Sequence, residues 1–350
     1  MTSAYRPGVS AADLQLVLEQ TPAAVWQALR GQRLFITGGT GFIGCWLLEG
    51  LLWAEQQFQL GLQLDVLSRR PAQFAARAPH LAGHPAVRLL AGDTADLSAL
   101  PGPYDGVLHL ATDVVQPASD PRAVFDDIVA GTAQTLALAQ RSGARRYLLT
   151  SSGAVYGAQP ASLSHVPESY AGAPDPGLPG SAYGQGKRVA EWLVACHRQQ
   201  HGLQAQVARC FAFAGPYMAL DAQFAIGNFI RDCLAGQPIR IGGDGTPFRS
   251  YLYAADLVVW LLTIFVLGDQ RPYNVGSAQE VSIAGLASTV AATLGGGPVQ
   301  IARTPVPGQP PSYYVPDVAR ARALGLQEYT SLQQAIAHTA AWQPSPKENP

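Results

Sequence analysis

The stretch from Thr37 to Gly44 reads Thr-Gly-Gly-Thr-Gly-Phe-Ile-Gly and directly follows the apolar run Leu34-Phe35-Ile36. The apolar run predicts a buried strand, and the residues after it have the pattern of an amphipathic helix. A phosphate can approach the N–H groups of a helix N-terminus only where no side chain covers them. Gly38 permits the tight turn, Gly41 permits this approach, and Gly44 lets the helix pack against the strand. Strand, glycine turn and helix in this order predict a dinucleotide-binding loop; a glycine-rich turn without a ligand is the alternative.

Short apolar stretches alternate with helical patterns along the first two thirds of the chain, which is typical of parallel strands joined by crossover helices. The expected strands are Leu34–Thr37, Gln63–Leu67, Val87–Ala91, Gly106–Leu110, Tyr147–Thr150 and Gln206–Cys210. The expected helices are Phe42–Leu52, Asp120–Gly143 and Ala182–His201. The sequence therefore predicts an α/β fold with a doubly wound parallel sheet.

The composition argues against several classes of partner. Of the 350 residues only 13% are charged, and the net charge is −1, so there is no basic surplus for nucleic acid or for an anionic membrane. The best apolar stretch, Leu257 to Leu267, is far shorter than the roughly 18–20 residues that span a bilayer. The N-terminus has no secretory signal pattern, and the four cysteines have neither C-x-x-C nor metal-ligand spacing. We therefore expect a cytoplasmic protein with reduced cysteines and no bound metal.

A second group of residues suits proton transfer at a carbonyl or alcohol oxygen. Tyr183 and Lys187 lie four residues apart in an expected helix and therefore share one face of it. A phenol, whose pKa is ordinarily about 10, exchanges protons poorly at neutral pH, and a nearby ammonium lowers that pKa. Ser152 follows an expected strand and could hydrogen-bond the same oxygen. An ordinary surface pair is the alternative for Tyr183 and Lys187 taken alone, but the glycine loop upstream favours catalysis.

With these residues in view, the chain resembles an extended short-chain dehydrogenase/reductase of the NAD(P)-dependent nucleotide-sugar epimerase/dehydratase/reductase family. The matching pieces, in family order and spacing, are Thr37–Gly44, Gly92-Asp93, His109-Leu110-Ala111-Thr112, Ser151 to Gly157, Tyr183-x-x-x-Lys187, Gly215-Pro216 and Arg249-Ser250-Tyr251. They cover residues 31 to about 320. The resemblance implies a Rossmann-like sheet, a smaller C-terminal α/β substrate domain, and Ser/Tyr/Lys catalysis by Ser152, Tyr183 and Lys187.

The resemblance also implies a domain organisation. Residues 1–30 form a helical extension with a break at Thr21-Pro22, and residues 31–210 form the NAD(P)-binding domain. Residues 211–350 belong mainly to the substrate domain, with 251–275 returning to the Rossmann domain. Many relatives form homodimers through two helices of each subunit, which here are the helices expected over 120–143 and 182–201.

Further site residues follow from the matching positions. Arg249 matches the arginine with which relatives bind the diphosphate of a nucleotide sugar, so Arg249, Ser152 and Tyr183 are expected to contact the substrate. A surface ion pair with Asp256 is the alternative for Arg249. The cofactor contacts implied by the resemblance are Gly38, Gly41, Phe42, Ile43, Gly44, Asp93, Thr94, Ala111, Thr112 and Lys187.

Two departures from the family pattern narrow the function. Dehydratases of this family have an acidic pair, or at least a glutamate, directly after the catalytic Ser or Thr, whereas this chain has Gly153 and Ala154, which cannot move a proton. Sugar 4,6-dehydration is therefore not expected, nor is decarboxylation as in the relatives that share the glutamate. NAD-specific members place an acid at the end of the second strand, where this chain has Ser68, Arg69 and Arg70. An arginine there can bind a 2′-phosphate, which predicts a preference for NADP(H), with NAD(H) possible. The alternatives are a solvated arginine loop, or Asp65 as the acid if the strand ends earlier.

The function predicted from the sequence is NADPH-dependent reduction of a nucleotide-activated 4-keto-6-deoxy sugar at C4, with Tyr183 as the general acid. A nucleotide-sugar 4-epimerase with retained NAD is the alternative, and a non-catalytic NADP-binding sensor comes third. The expected partner is a nucleotide-diphosphate sugar. The motifs specify neither its base, nor the sugar, nor the stereochemistry at C4.

Overall fold

The computed structural model describes residues 5–100, 102–112 and 120–343, so the outermost residues of the predicted first and last domains lie outside the described part. Its strands are β1 (Arg33–Thr37), β2 (Gln63–Ser68), β3 (Val87–Ala91), β4 (Gly106–His109), β5 (Arg146–Ser152), β6 (Gln204–Cys210), β7 (Phe213–Ala214), β8 (Ile239–Ile241), β9 (Phe248–Arg249), β10 (Leu252–Tyr253), β11 (Pro272–Val275), β12 (Val281–Ser282), β13 (Val299–Ile301) and β14 (Tyr313–Tyr314). Its helices are α1 (Ala11–Gln20), α2 (Ala23–Leu29), α3 (Phe42–Phe58), α4 (Pro71–Arg77), α5 (Pro79–Ala82), α6 (Pro121–Ser142), α7 (Ala182–His201), α8 (Ala225–Leu234), α9 (Ala254–Leu267), α10 (Ile283–Leu294), α11 (Ala319–Ala323) and α12 (Leu332–Ala341).

Seven strands form one parallel sheet in the order β11-β6-β5-β4-β1-β2-β3, which confirms the predicted Rossmann-like α/β fold. The chain runs from β1 outward to β2 and β3 and then returns to β4 on the other side of β1. Thr37 and His109, at the ends of β1 and β4, are register partners. Ligands of open α/β sheets bind where the strand order reverses in this way. The fold therefore places the glycine loop at the edge of the sheet where a nucleotide is expected.

The side chains of β1 alternate between two apolar layers. Leu34 and Ile36 pack in the layer that contains α1, α3 and α9, whereas Phe35 packs in the layer that contains α6 and α7. All three side chains are almost fully buried. A strand that is buried on both faces has to be apolar throughout, which is why the run before the glycines shows no polar alternation.

Helix α9 explains the most apolar stretch of the sequence. It lies between the sheet, through β5 and β6, and the helices α1, α2 and α3, and its residues from Ala254 to Phe265 are buried. A helix enclosed on all sides is apolar all round, whether or not a membrane is present. No helix in the described ranges has both the length and the hydropathy needed to cross a bilayer.

The N-terminal extension is part of the packed structure. Its helices α1 and α2 cover α9, and Tyr253 Oη donates a hydrogen bond to Asp13 Oδ2 of α1 over 2.7 Å. Near its start, Gly8 N donates to Glu49 Oε1 of α3 over 3.0 Å, and Glu49 is fully buried. Residues 5–30 therefore form a third layer outside α9, in which the break at Thr21-Pro22 separates the two helices as predicted.

Most predicted elements are present, with shifted ends. Helix α7 matches its predicted bounds, whereas α3 continues six residues past the predicted Leu52, to Phe58. The end of β5 lies at Ser152 rather than at Thr150, and β2 ends at Ser68. Elements that the sequence pattern did not predict include α4, α8, α10 and the seventh sheet strand β11. Several of these are short or follow residue 211, where the strand-helix rhythm is weak.

Three small sheets follow β6 in the sequence, pairing β10 with β7, β13 with β8, and β12, β9 and β14 in that order. In the last of these, Arg249 of β9 is the register partner of Tyr314 of β14, and Phe248 is that of Tyr313. Neighbours along a strand point to opposite faces of the sheet. Arg249 and Tyr314 therefore share one face, and Phe248 and Tyr313 share the other, where their rings stack with centroids 5.0 Å apart.

Candidate functional site

The glycine loop has the geometry that a dinucleotide requires. Gly38 has a φ of +69°, and a Cβ there would lie 2.6 Å from the backbone N of Ala111. A Cβ on Gly44 would collide with the backbone of Gly38 and Gly39, so both positions need glycine. A Cβ on Gly41, the N-cap residue of α3, would meet only Gly38 O, at 3.4 Å. The N-terminus of α3 is therefore open on the side of Gly41, and Phe42 and Ile43 form its half-buried first turn. These features fit a pyrophosphate at the helix N-terminus.

The end of β2 presents arginines and no free acid. Asp65 lies inside the sheet with 3% of its surface exposed, and it accepts hydrogen bonds from Arg33 (2.9 Å), Arg88 (2.8 Å) and Tyr104 (2.9 Å). Burial acts to raise the pKa of Asp65, but these hydrogen bonds lower it below its ordinary value. Because β2 continues to Ser68, Asp65 does not lie at the end of the strand, and its carboxylate is bound by three partners. The alternative in which Asp65 is the acid at the end of the second strand is therefore excluded.

Arginine side chains lie near the end of β2, beyond the buried Asp65. Ser68 is buried, and its Oγ accepts a hydrogen bond from Arg70 N over 3.2 Å. Arg69 is exposed, with its Nε 4.0 Å from Asp93 Oδ2, beyond the end of β3. A third arginine, Arg77 of α4, donates a hydrogen bond to Thr40 O of the glycine loop. Arg77 gave no signal in the sequence because the helix that carries it was not predicted.

The loops after β3 and β4 bring the other expected cofactor residues to the same edge. Thr37 Oγ1 accepts a hydrogen bond from Ala111 N over 3.2 Å, which ties the loop after β4 to the end of β1. Asp93 Oδ1 accepts one from Ala95 N over 2.9 Å. Thr94 packs against α6, since a Cβ on Gly131 would lie 2.9 Å from Thr94 Oγ1. These loops line the ends of β1, β3 and β4.

The structure brings Ser152, Tyr183 and Lys187 together where β5 ends and α7 begins. Ser152 is the last residue of β5, and Tyr183 and Lys187 occupy the first turns of α7. Lys187 is 2% exposed, and its Nζ donates hydrogen bonds to Thr112 Oγ1 (2.6 Å) and to Thr150 O (2.7 Å). The same Nζ lies 5.9 Å from the centroid of the Tyr183 ring. The structure therefore brings the three predicted catalytic residues together and adds Thr112 as a direct partner of the lysine.

The pKa values of Lys187 and Tyr183 differ from those expected from the sequence. Burial lowers the pKa of Lys187 to about 8, although Cys210 and Glu191 nearby act to raise it. Burial raises the pKa of Tyr183 above its ordinary value, and a hydrogen bond with Ser152 offsets part of that rise. The sequence led us to expect that Lys187 would bring the phenol near neutrality. In the folded protein the burial of Tyr183 dominates its pKa instead, and Lys187 Nζ donates its hydrogen bonds to Thr112 and Thr150.

A wall of aromatic side chains faces Gly153. A Cβ added at Gly153 would lie 2.8 Å from Phe211 Cζ and 2.8 Å from Tyr314 Oη. The rings of Phe211 and Tyr314 contact each other, with centroids 4.8 Å apart. The space that a side chain at position 153 would need is therefore filled by two aromatic residues. Tyr314 was missed in the sequence, where it belongs to no motif and is separated from Ser152 by 162 positions.

The carboxylate next to the serine pair is also unavailable as a free acid. Glu191 of α7 accepts a hydrogen bond from Ser151 Oγ over 2.6 Å and forms an ion pair with Arg209, with Nη2 and Oε2 2.7 Å apart. Burial acts to lower the pKa of Arg209, but its hydrogen bonds with Glu191 raise it above its ordinary value, so the guanidinium stays charged. Glu191 thus anchors β6 to α7.

Arg249 lies on the same side as Tyr314. Its guanidinium carbon is 5.9 Å from the centroid of the Tyr314 ring, and its Nη1 donates to Phe248 O over 2.7 Å. Asp256, the alternative partner considered from the sequence, is fully buried and instead accepts hydrogen bonds from Tyr329 N (3.1 Å) and Thr330 N (3.0 Å). Arg249 therefore lies beside Tyr314 rather than paired with Asp256.

Solved structures share this fold. The structure superposes on a UDP-glucose 4-epimerase from Thermotoga maritima with UDP-glucose, with a TM-score of 0.74 and 21% identity over 89% of this chain and 98% of the other. It also superposes on a UDP-glucuronic acid 4-epimerase from Bacillus cereus in complex with NAD, with a TM-score of 0.74 and 20% identity over 89% of this chain and 98% of the other. At these identities the likeness concerns the fold.

Sequence comparison goes further. The profile of the NAD dependent epimerase/dehydratase family matches residues 34–276. UDP-glucuronic acid decarboxylase 3 from Arabidopsis thaliana is 32% identical over 312 residues, which are 87% of this chain and 86% of that protein. These matches confirm the family predicted from the motifs: the chain is an enzyme that belongs to the NAD-dependent epimerase/dehydratase family.

Proposed function

We propose that the protein reduces the 4-keto group of a nucleotide-activated 4-keto-6-deoxy sugar with NADPH. The observation that favours this over dehydration and decarboxylation is the environment of Ser152. The chain has Ser152, Tyr183 and Lys187, which suit redox chemistry at a C–O bond. It has Gly153 and Ala154 after the serine, and Phe211 and Tyr314 occupy the space beyond Gly153. The residues for redox chemistry are thus present, whereas the acidic residue that elimination requires is absent.

The three residues have distinct roles in this proposal. The bound cofactor supplies hydride to C4 of the sugar. Tyr183 donates its proton to the oxygen that develops negative charge, and Ser152 hydrogen-bonds the same oxygen and orients it. Lys187 and Thr112 would hold the ribose of the bound cofactor, and the ammonium, whose Nζ lies 5.9 Å from the centroid of the Tyr183 ring, would stabilise the phenolate that Tyr183 becomes. The raised pKa of Tyr183 keeps the phenol protonated at neutral pH, which suits an acid for reduction better than a base for oxidation.

The preference for NADP(H) rests on the end of β2. Arg69 and Arg70 follow Ser68 where NAD-binding relatives have an acid, and Asp65 is enclosed within the sheet. Guanidinium groups bind a phosphate through paired hydrogen bonds, whereas a ribose hydroxyl is bound by a carboxylate. Arg77, at the glycine loop, adds positive charge to the same region.

The substrate class rests on Arg249 and on the relatives. Arg249 lies beside Tyr314, and in this proposal its guanidinium binds the diphosphate. The relatives reported above are named for UDP-linked sugars. In this proposal residues 31–210 with 251–275 bind the cofactor, and most of residues 211–350 bind the substrate.

A homodimer through α6 and α7 is part of the same proposal. The two helices pack side by side, and Trp192 of α7 is 63% exposed, which is unusual for a large apolar side chain. Two copies that bury this face would form a four-helix interface related by a two-fold axis.

Two other reactions serve as outcomes of the test. A 4-epimerase would use the same three residues, and decarboxylation of UDP-glucuronic acid is named for relatives at 32% identity. The purified enzyme is incubated with UDP-, dTDP-, CDP- and GDP-linked 4-keto-6-deoxy sugars and NADPH, and absorbance is followed at 340 nm. The proposal predicts NADPH consumption equal to the sugar reduced, and no CO₂ from UDP-glucuronic acid. Conversion of a 4-hydroxy sugar nucleotide without added cofactor would establish the epimerase instead, and release of CO₂ the decarboxylase.

A further inference from the structure

The buried side chain of His109, at the end of β4, contacts two hydroxyl groups from other elements. Its Nδ1 lies 2.7 Å from Thr37 Oγ1 at the end of β1, and its Nε2 lies 3.4 Å from Thr132 Oγ1 of α6. Burial lowers the pKa of His109 to about 3, and Lys187 nearby acts in the same direction, so the imidazole is neutral at pH 7. A neutral imidazole donates from one nitrogen and accepts at the other. One of the two hydroxyls therefore donates to His109, and the other accepts from it.

The surrounding hydrogen bonds decide which nitrogen carries the proton. Thr132 Oγ1 donates its own proton to Ile128 O over 2.7 Å, so toward His109 Nε2 it is an acceptor. Thr37 Oγ1 accepts a hydrogen bond from Ala111 N over 3.2 Å, and its proton is directed to His109 Nδ1. Which ring nitrogen of a histidine is protonated follows from the partners of both nitrogens. These partners select the tautomer with the proton on Nε2.

The same series of hydrogen bonds continues from Ala111 to the lysine of the candidate site. Ala111 O accepts from Thr112 Oγ1 over 2.6 Å, and Thr112 Oγ1 accepts from Lys187 Nζ over 2.6 Å. An ammonium group only donates, so the direction of the first bond is fixed, and every later proton points away from Lys187. Hydrogen bonds aligned in one direction polarise and strengthen one another. An uninterrupted path thus runs from Lys187 through Thr112, Ala111 and Thr37 to His109.

We propose that His109 is a positioning residue for Lys187. Its Nδ1 accepts the Thr37 proton and so keeps the oxygen of Thr37 turned toward Ala111 N. The peptide groups of Ala111 in turn hold Thr112 against the ammonium of Lys187. Without an acceptor at Nδ1, the Thr37 hydroxyl turns away and the loop that carries Thr112 loses its attachment to β1. This inference rests on the proposed contact of Lys187 and Thr112 with the ribose of the cofactor, and it holds whichever reaction follows.

The first test needs neither cofactor nor substrate. The full-length protein is labelled with ¹⁵N in its seven histidines, and the ring nitrogens of His109 are identified from their absence in His109→Asn. A long-range ¹H–¹⁵N spectrum at pH 7 distinguishes the tautomers, because a ring nitrogen without a proton resonates far from one that carries it. We expect an unprotonated Nδ1 and a protonated Nε2. The opposite tautomer, or a charged imidazolium, would overturn the proposal.

A matched pair of threonines checks the assignment in the same spectrum. Thr132 and Thr135 are both fully buried on α6, but Thr135 Oγ1 bonds to Gly131 O and Tyr147 Oη rather than to His109. Thr132→Val should therefore shift the Nε2 resonance of His109, and Thr135→Val should leave it in place. Equal shifts in the two variants would count against the path through Nε2.

The second test measures dinucleotide binding by fluorescence titration with NADPH and with NADH. His109→Asn keeps an oxygen acceptor near the position of Nδ1, whereas His109→Gln places its amide near the position of Nε2 and leaves Thr37 without an acceptor. For the dinucleotide that binds more tightly, we expect the dissociation constant to rise about 3–10-fold in His109→Gln, as for the loss of one hydrogen bond, and less than about twofold in His109→Asn. In the Thr112→Val background His109→Gln should change it less than about twofold, because the group through which it acts is gone.

The outcomes separate this inference from the proposed reaction. Equal losses of affinity in His109→Asn and His109→Gln, or the same loss with and without the Thr112 hydroxyl, would refute the positioning role even if the reductase activity is found. The expected tautomer and binding pattern, in a protein that reduces no sugar nucleotide, would leave the positioning role standing and refute the proposed reaction.

Discussion

The two walls of the candidate site differ in how the sequence builds them. The cofactor wall consists of the glycine loop and the arginines after β2, which are positioned by local turns at the ends of adjacent strands. The aromatic wall consists of Phe211 and Tyr314 and faces Gly153, and its two members come from distant parts of the chain. In the cofactor wall, the functional groups come from short stretches of consecutive residues. In the aromatic wall, strand pairing brings the functional groups together, so a substitution there alters the reaction without altering any sequence motif.

The largest effect is expected at Tyr183, the proposed proton donor. Tyr183→Phe removes the proton donor and should lower kcat about 10³-fold, while the dissociation constant of NADPH changes little, because the phenol does not bind the cofactor's phosphates. Stopped-flow measurement of the hydride step together with fluorescence titration of NADPH checks both. Tyr329→Phe, which alters a tyrosine away from this group, is the control. Near-normal turnover in Tyr183→Phe would show that the protonation mechanism is wrong.

The cofactor wall is tested by removing its charge. The double change Arg69→Ala and Arg70→Ala should raise the KM for NADPH about 10–100-fold and leave that for NADH nearly unchanged, because charge-assisted hydrogen bonds to a 2′-phosphate contribute about 1.5–3 kcal/mol each. Steady-state kinetics with both cofactors measures this. Arg145→Ala, at an exposed arginine before β5, is the control. A parallel loss with NADH, or a wild-type enzyme that prefers NADH, contradicts the role given to these arginines.

The buried lysine predicts a dependence on pH. Burial lowers the pKa of Lys187 to about 8, so its ammonium is present below that pH and is lost above it. If the charged form stabilises the phenolate of Tyr183, kcat should fall about tenfold per pH unit above pH 8. Lys187→Arg keeps its charge to far higher pH and should abolish this alkaline fall, at a lower overall rate. An alkaline limb that persists unchanged in Lys187→Arg would assign it to another group.

The smallest effect is expected from a single methyl group added at Gly153, against the aromatic wall. Gly153→Ala places a Cβ 2.8 Å from Phe211 Cζ and from Tyr314 Oη, and overpacking of this kind costs about 1–3 kcal/mol of unfolding free energy. Urea unfolding measures the loss. Gly180→Ala is the matched control, because a Cβ there meets nothing within 4 Å. Equal stability of the two variants would mean that the space beyond Gly153 can open to admit an acid.

The same contrast explains what could be predicted from the sequence. The strands, the glycine loop and the group Ser152, Tyr183 and Lys187 are encoded by apolar periodicity and by residues close together in the chain, and their relative placement follows from the rule that parallel strands end at one edge. Tyr314 reaches Gly153 only because β14 pairs with β9, and two-residue strands leave no periodic pattern in the sequence. Likewise, Asp65 looked like a candidate acid until its three partners, Arg33, Arg88 and Tyr104, were seen to come from other strands and loops. The raised pKa of Tyr183 depends on burial, which spacing along a helix does not reveal.

The central claim is that the site performs net reduction at C4, and transfer of isotope tests it most directly. The enzyme is incubated with a nucleotide-activated 4-keto-6-deoxy sugar and NADPH carrying deuterium at C4 of the nicotinamide, and the product sugar is analysed by mass spectrometry and NMR. We predict one deuterium per product molecule, located at C4 of the sugar. Conversion of sugar nucleotide with no deuterium gained, from a dinucleotide retained by the protein, would contradict the account.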